Sequence, residues 1–276
     1  MKLRFAKMHG LGNDFMVVDL VTQRGMPKPE DVRTWSDRRT GVGFDQLLAA
    51  LPPGDPDADF RMRIFNADGS EAEQCGNGAR CFARFVVDEG LTVKRDLLVE
   101  TEGGSIRTEL LGDDQVRVDM GVPSTDPAAV PFLATEAATS YLVDLGDDRI
   151  EVTPVSMGNP HAVVFVDNVS RADIEGIGRA LQHHERFPEQ VNVGFLQVVD
   201  RRFGRLRVYE RGAGETRACG SGACAAMVAG RLHDRFEPRA KMSLPGGKIR
   251  LEWQGRGSPA KLSGPTQSVY TGRIEL

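Results

Sequence analysis

No apolar run in this chain of 276 residues approaches the length of a bilayer span. No basic tract occurs and the net charge is only −4, so a nucleic-acid role lacks its electrostatic footprint and a small substrate is expected. The first residues, MKLRFAKMHG, are polar and patterned like a strand. No secretory signal is therefore expected, and the setting is read as cytoplasmic, where thiols stay reduced. Cysteine is scarce: there are four, none in C-x-x-C spacing, which argues against a disulfide framework and against thiol–disulfide exchange. Cys75 and Cys81 are also too widely spaced for the usual short zinc pattern, and Cys219 and Cys224 reach only its upper limit, so no metal is expected.

What is present is a repeat. Residues 61–79 read RMRIFNADGSEAEQCGNGA and residues 205–223 read RLRVYERGAGETRACGSGA. Arg61 falls on Arg205, Arg63 on Arg207, Phe65 on Tyr209, Glu71 on Glu215 and Cys75 on Cys219. Three further echoes follow the same order. Gly12-Asn13 before Met16-Val17-Val18 matches Gly158-Asn159 before Ala162-Val163-Val164. Val42-Gly43-Phe44-Asp45-Gln46 matches Val193-Gly194-Phe195-Leu196-Gln197, and Gly103-Gly104-Ser105-Ile106 matches Gly246-Gly247-Lys248-Ile249. The ordered set implies a duplicated fold. One unit is expected over 1–118 and the other over 119–265, with the tail 266–276 returning to the first.

Alternating residues predict strands at 61–65 and 205–209, and Gly-Gly pairs predict hairpins at 97–111 and 242–253. The apolar stretch 161–166 reads as a strand buried on both faces. The tail SVYTGRIEL reads as a strand interrupted at Gly272. After each repeated cysteine comes a helix. Ala79, Phe82, Ala83 and Val86 share one helical face, and Ala223, Ala226, Met227 and Gly230 repeat that spacing. The second helix is apolar almost all round, so a curved sheet is expected to wrap it. Outer helices are expected near 27–39 and 170–184. The fold class is thus α/β (α+β), with two similar units, each a mixed curved sheet around a central helix.

A cysteine just before a helix meets unpaired backbone N–H groups and the positive end of the dipole, which favour a thiolate. Gly76, Gly78, Gly220 and Gly222 let an anionic ligand approach those groups. Each unit would supply a reactive sulfur and an anion-binding helix end, meeting at the seam of the duplication. Cys81 and Cys224 read instead as small buried hydrophobes. Asn13 and Asn159 lie in Gly-Asn turns, where asparagine often serves the backbone, so taken alone they assign nothing.

The chain resembles the diaminopimelate epimerase family over nearly its whole length. The motifs are Lys7 to Phe15 (KMHGLGNDF), Gly43 to Leu48 (GFDQLL), Phe65 to Glu71 (FNADGSE), Cys75 to Cys81 (CGNGARC), Gly158 to His161 (GNPH), Asn192 to Phe195 (NVGF), Glu210 to Gly212 (ERG) and Ala218 to Cys224 (ACGSGAC). The resemblance implies a cofactor-independent epimerase that interconverts LL- and meso-2,6-diaminopimelate, with Cys75 and Cys219 as the acid–base pair. It implies that His161 and Glu210 tune the thiols, and that Gly76, Asn77, Gly220 and Ser221 hold the reacting carboxylate. Asn13, Gln46, Asn66, Asn159, Asn192, Glu210 and Arg211 match substrate-contacting positions, and Tyr270 matches a dimer-forming tyrosine. Read without the family, Tyr270 is equally an ordinary strand aromatic.

The rival enzymes are a proline or hydroxyproline racemase and a double-bond isomerase of the same fold. A rival of another class is a non-catalytic amino-acid-binding thiol protein. A pyridoxal phosphate racemase is disfavoured, because no lysine lies in either cysteine motif. No cofactor is expected. A homodimer without nucleic-acid or membrane partners follows from the resemblance and from composition.

Overall fold

A computed structural model of the chain describes residues 2–73, 75–112, 114–146 and 148–276. The chain divides into two compact units, residues 1–119 with 263–276 and residues 120–262.

The first unit runs β1 (Lys2–Gly10), β2 (Asn13–Asp19), α1 (Pro29–Ser36), β3 (Gln46–Leu51), β4 (Phe60–Asn66), β5 (Glu71–Ala72), α2 (Gly76–Asp88), β6 (Asp96–Thr101), β7 (Gly104–Leu110) and β8 (Gln115–Asp119). The second runs β9 (Tyr141–Asp144), β10 (Arg149–Ser156), β11 (Pro160–Phe165), α3 (Ile174–Gln182), β12 (Asn192–Asp200), β13 (Phe203–Glu210), β14 (Gly214–Thr216), α4 (Gly220–Leu232), β15 (Arg239–Leu244) and β16 (Gly247–Glu252). Strand β17 (Lys261–Pro265) follows, and β18 (Gln267–Glu275) closes the chain.

The two sheets have the same topology. In the first, β1–β2 is antiparallel, β2–β3 parallel, β3–β4 and β4–β5 antiparallel, β4–β6 parallel and β6–β7 antiparallel. In the second, β10–β11, β11–β12, β12–β13, β13–β14, β13–β15 and β15–β16 repeat that series. Even the register repeats: Phe15 pairs with Gln46 and His161 with Asn192, while Leu47 pairs with Phe65 and Val193 with Tyr209. This corrects one echo read from the sequence. The structural counterpart of Gln46 is Asn192, the first residue of β12, not Gln197. The similarity of Val42–Gln46 to Val193–Gln197 is out of register by five residues and carries no structural equivalence.

The apolar periodicities explain the layers. Helix α2 touches β1, β2, β3, β7 and β8, and α4 touches β10, β11, β12, β13 and β16, so each sheet curls around one helix. Nine consecutive residues of α4, Gly222 to Gly230, are buried, as expected of a helix apolar on every side. Helices α1 and α3 lie outside and are shorter than the sequence suggested. Helix α3 begins after Asp173, whose Oδ1 accepts from the Gly176 amide at 2.8 Å, a cap contributing about 1 kcal/mol. In α1, Val32 and Trp35 are the buried residues, packed in the core with Met16, Val18 and Leu47.

The terminal strand β18 pairs antiparallel with β1, from Lys2 opposite Glu275 to His9 opposite Gln267. It is not interrupted at Gly272. That residue sits opposite Phe5, and a Cβ there would lie 2.6 Å from the Phe5 ring, so glycine accommodates an aromatic neighbour rather than breaking the strand.

Candidate active site

Both repeated cysteines occupy the N-cap position of their helices. Cys75 has extended backbone angles and its Sγ accepts from the Gly78 amide at 3.3 Å. Cys219 does the same for α4, accepting from the Gly222 amide at 3.4 Å. Sulfur thus performs the capping that a serine or aspartate oxygen usually performs. The third helical residue must be small. A Cβ on Gly78 would lie 3.3 Å from Cys75 Sγ, and one on Gly222 would lie 3.1 Å from Cys219 Sγ.

Around Cys75 the amides converge. Residues Leu11 and Gly12, both with positive φ, form the two-residue turn between β1 and β2, which leaves Asn13 at the start of β2. Asn13 Oδ1 lies 3.9 Å from Cys75 Sγ and accepts from Asn77 Nδ2 at 3.3 Å. Gln46 Nε2 donates to Asn66 Oδ1 at 2.9 Å on the neighbouring strands. Gly76 is the first residue of α2. Cys81, further along that helix, is fully buried, and burial pushes its thiol up to about 12.

Around Cys219 the setting is more acidic. The thiol is buried, and both burial and the negative charge of Glu210 raise it well above the ordinary thiol range, against the lowering by Ser221 and the Gly222 amide. The helix-end donors are in place, yet the thiolate they were expected to favour is outweighed by desolvation and by the carboxylate. Ser221 Oγ lies 3.6 Å from the sulfur, and Gly220 opens α4. Glu210 also accepts a hydrogen bond from the Thr216 hydroxyl. Cys224 is fully buried.

Next to this group, His161 Nε2 pairs with Asn159 Oδ1 at 3.0 Å. The imidazole is fully buried, and burial first, then the charge of Arg211, lowers it to about 3, so it is neutral at neutral pH. Its Nδ1 has no hydrogen-bond partner among the described residues, and its hydrogen bond goes to Asn159 rather than to Cys219. Asn192 Nδ2 donates to the Pro160 carbonyl at 3.0 Å, and its Oδ1 accepts from the Arg211 amide at 2.9 Å. The Arg211 guanidinium donates to the Glu189 carbonyl at 2.9 Å.

The register makes nearly every candidate one of a pair. Asn13 corresponds to Asn159, Gln46 to Asn192, Asn66 to Glu210, Cys75 to Cys219, Gly76 to Gly220 and Asn77 to Ser221. Tyr270 stands apart on β18. Its ring packs edge-on to Phe5 with centroids 6.1 Å apart, its hydroxyl donates to the Val42 carbonyl at 3.4 Å, and it is 45% exposed. Sequence reading missed Asp45 and Arg80, which hold the two asparagines beside Cys75, and Thr216, which holds Glu210. Charged side chains in a turn and on a helix gave no sign of that task.

Comparison with known proteins agrees with this architecture. The family model described as diaminopimelate epimerase matches residues 5–125 and 153–274. Diaminopimelate epimerases from Stutzerimonas stutzeri, Ectopseudomonas mendocina and Pseudomonas aeruginosa are 57%, 56% and 55% identical, each over all 276 residues and the whole of both chains. Solved structures share the fold at low identity. A PhzF-family phenazine biosynthesis protein from Bacillus anthracis has a TM-score of 0.70 at 15% identity, covering 100% of both chains. A hydroxyproline epimerase from Agrobacterium vitis has a TM-score of 0.69 at 15% identity, covering 99% of this chain and 92% of that one. With the family model matching both units and full-length identity above half, the chain belongs to the diaminopimelate epimerase family.

Proposed function

We propose that this chain interconverts LL- and meso-2,6-diaminopimelate by a two-base reaction without pyridoxal phosphate, using Cys75 and Cys219. The observation that carries the reading is the repeated one: two thiols, each capping a glycine-rich helix start within matched sheets. Inverting an α-carbon requires a base on one face and an acid on the other, and a duplicated thiol supplies both from one chemical group. One sulfur, as thiolate, takes the α-proton, and the other, as thiol, returns a proton to the opposite face. Protons balance: one leaves carbon for sulfur, one leaves sulfur for carbon, and the two thiols exchange protonation states with each turnover. They therefore titrate as a pair in the working enzyme.

The carbanion needs stabilisation, and the amides of Gly76, Asn77, Gly220 and Ser221 at the helix starts are the donors for the reacting carboxylate. A substrate with a second amino-acid end needs a second set of contacts. Asn13, Gln46, Asn66, Asn159, Asn192 and Glu210 offer donors and acceptors, and Arg211 a planar cation for a carboxylate. Burial first, then the Glu210 carboxylate, raise the Cys219 thiol and favour its protonated form at rest; the family resemblance assigns His161, a neutral imidazole, to the tuning of the thiols as well. This substrate places the enzyme in lysine and peptidoglycan-precursor biosynthesis, in the cytoplasm. We assign the homodimer contact to Tyr270, on the strength of its exposure and that of Val269.

The test is isotope exchange. LL-diaminopimelate incubated with the enzyme in deuterated water should gain deuterium at one α-carbon and yield the meso isomer. Cys75→Ala and Cys219→Ala should each lose epimerisation by several orders of magnitude with the fold intact. Full turnover in either variant would remove the two-thiol scheme, and exchange with proline but not diaminopimelate would favour the rival substrate class.

A further inference from the structure

We propose that Arg80 and Asp45 are positioning residues that clamp the Asn77 and Asn13 amides in one orientation and so present an oxygen to Cys75. This inference rests on Cys75 being a reacting thiol.

The argument follows from which groups can only donate and which can only accept. An arginine guanidinium has no acceptor, and a carboxylate has no donor. Arg80, wholly buried on α2, donates from Nη2 to Asn77 Oδ1 at 2.9 Å. That fixes the Asn77 amide with its Nδ2 outward, where it donates to Asn13 Oδ1 at 3.3 Å. From the other end, Asp45 Oδ2 accepts from Asn13 Nδ2 at 2.9 Å. Only Asn13 Oδ1 is then left to face Cys75, at 3.9 Å from the sulfur. Neither asparagine can turn over without setting donor against donor or acceptor against acceptor.

The ends of this relay are themselves held. Asp45 Oδ1 accepts from Arg38 at 2.7 Å, and its Oδ2 also accepts from the Asp14 amide at 3.1 Å. Arg80 lies against Gly10, where a Cβ would come 3.0 Å from Nη2, so the strand leaves room for the guanidinium. Burying a guanidinium on a helix is costly, which makes the Asn77 carboxamide oxygen a strongly preferred partner for Nη2.

Among the described residues, the second unit shows no such relay. By the shared register, Asp45 corresponds to the buried Val191, Asn77 to Ser221 and Arg80 to Cys224. Cys219 meets a hydroxyl that can rotate and donate or accept, where Cys75 meets an oriented carbonyl. The clamp therefore acts on one thiol only, which makes Cys219 an internal control.

The experiment is a double-mutant cycle read by alkylation of the substrate-free enzyme, with Cys75 and Cys219 scored separately by peptide mass spectrometry. Arg80→Met and Asp45→Ala, which remove the donor and the acceptor, are each made alone and together with Asn13→Ala. Each anchor variant should change the Cys75 alkylation rate by roughly threefold or more in the wild-type background, the size expected of coupled neighbours, and by much less when Asn13 is absent. Cys219 should keep its rate, and Arg80→Lys, which restores a donor, should recover most of the Cys75 rate. Equal changes with and without Asn13 would mean that charge or loosening acts directly, and would overturn the relay; so would no change at all. Should Arg80→Met fail to fold, the half-exposed Asp45 arm decides by the same criterion. Because alkylation needs no turnover, failure of the relay is distinguishable from failure of the proposed epimerisation.

Discussion

Arg207 holds both carboxylate oxygens of Glu215 at 2.6 Å, and the same fork joins Arg63 to Glu71 at 2.7 Å in the other unit. In each case the arginine stands on the long strand and the glutamate on the short return strand that leads into the capping cysteine. The pair pins the turn that delivers the sulfur.

A cycle of Arg207→Met and Glu215→Gln isolates that pair, because Arg207 also donates to the Val169 carbonyl at 3.1 Å. Urea unfolding should give a coupling of about 0.5–1 kcal/mol, the range for partly exposed bidentate pairs. The coupling should shrink in high salt. A zero coupling at low salt would show that the turn is held by its backbone alone.

Glu210 raises the Cys219 thiol, second only to burial. Replacing it with Gln removes the adjacent negative charge, so the thiolate should form at lower pH. In a Cys75→Ala background, the ultraviolet absorbance of the thiolate followed against pH should show its midpoint moving down in Glu210→Gln. An unmoved midpoint would leave burial as the whole cause.

His161 gives the stability curve a definite slope. The unfolded chain takes up this proton near pH 6.5, the buried imidazole only near 3. Between those values the unfolded state holds more protons, so stability rises with pH: it is complete above about 6.5 and is lost as pH falls toward 3. His161→Asn should flatten the wild-type slope by up to about 1.4 kcal/mol per pH unit, one proton's worth, in chemical denaturation between those limits.

Gly222→Ala tests the close approach at the second cap. The new Cβ, 3.1 Å from Cys219 Sγ and 3.2 Å from Val208 Cγ2, obliges the sulfur to move. We expect turnover to fall by about tenfold or more with a stability loss of only about 1 kcal/mol. Unchanged kcat/KM in a stable variant would mean that sulfur placement tolerates the shift.

Local chemistry made much of this legible. The 3.6-residue spacing after each cysteine marked α2 and α4, and the Gly-Gly pairs marked the β6–β7 and β15–β16 hairpins, because these signals depend on neighbours in sequence. What depends on distant neighbours was not legible. Gly272 looked like a strand break because the Phe5 ring that needs its space is 267 residues earlier in the chain. The β3 and β12 registers are set by pairing with β2 and β11, so an attractive run of matching letters misled by five positions. The Cys219 thiol was expected to be acidified by its helix; how deeply it is buried, and which carboxylate lies beside it, are properties of the fold. Arg80 was invisible for the same reason: an arginine on a helix is ordinarily a solvated one.

The shared register also says how the two halves have diverged. A gene that doubled would first yield interchangeable copies. Here the backbone has stayed alike while selected positions have drifted apart chemically: amide to carboxylate at Asn66 and Glu210, amide to hydroxyl at Asn77 and Ser221, guanidinium to thiol at Arg80 and Cys224. The divergence between the copies lies in side chains on a shared strand register, and exchanging such residues between halves would measure how much of it the present enzyme still requires.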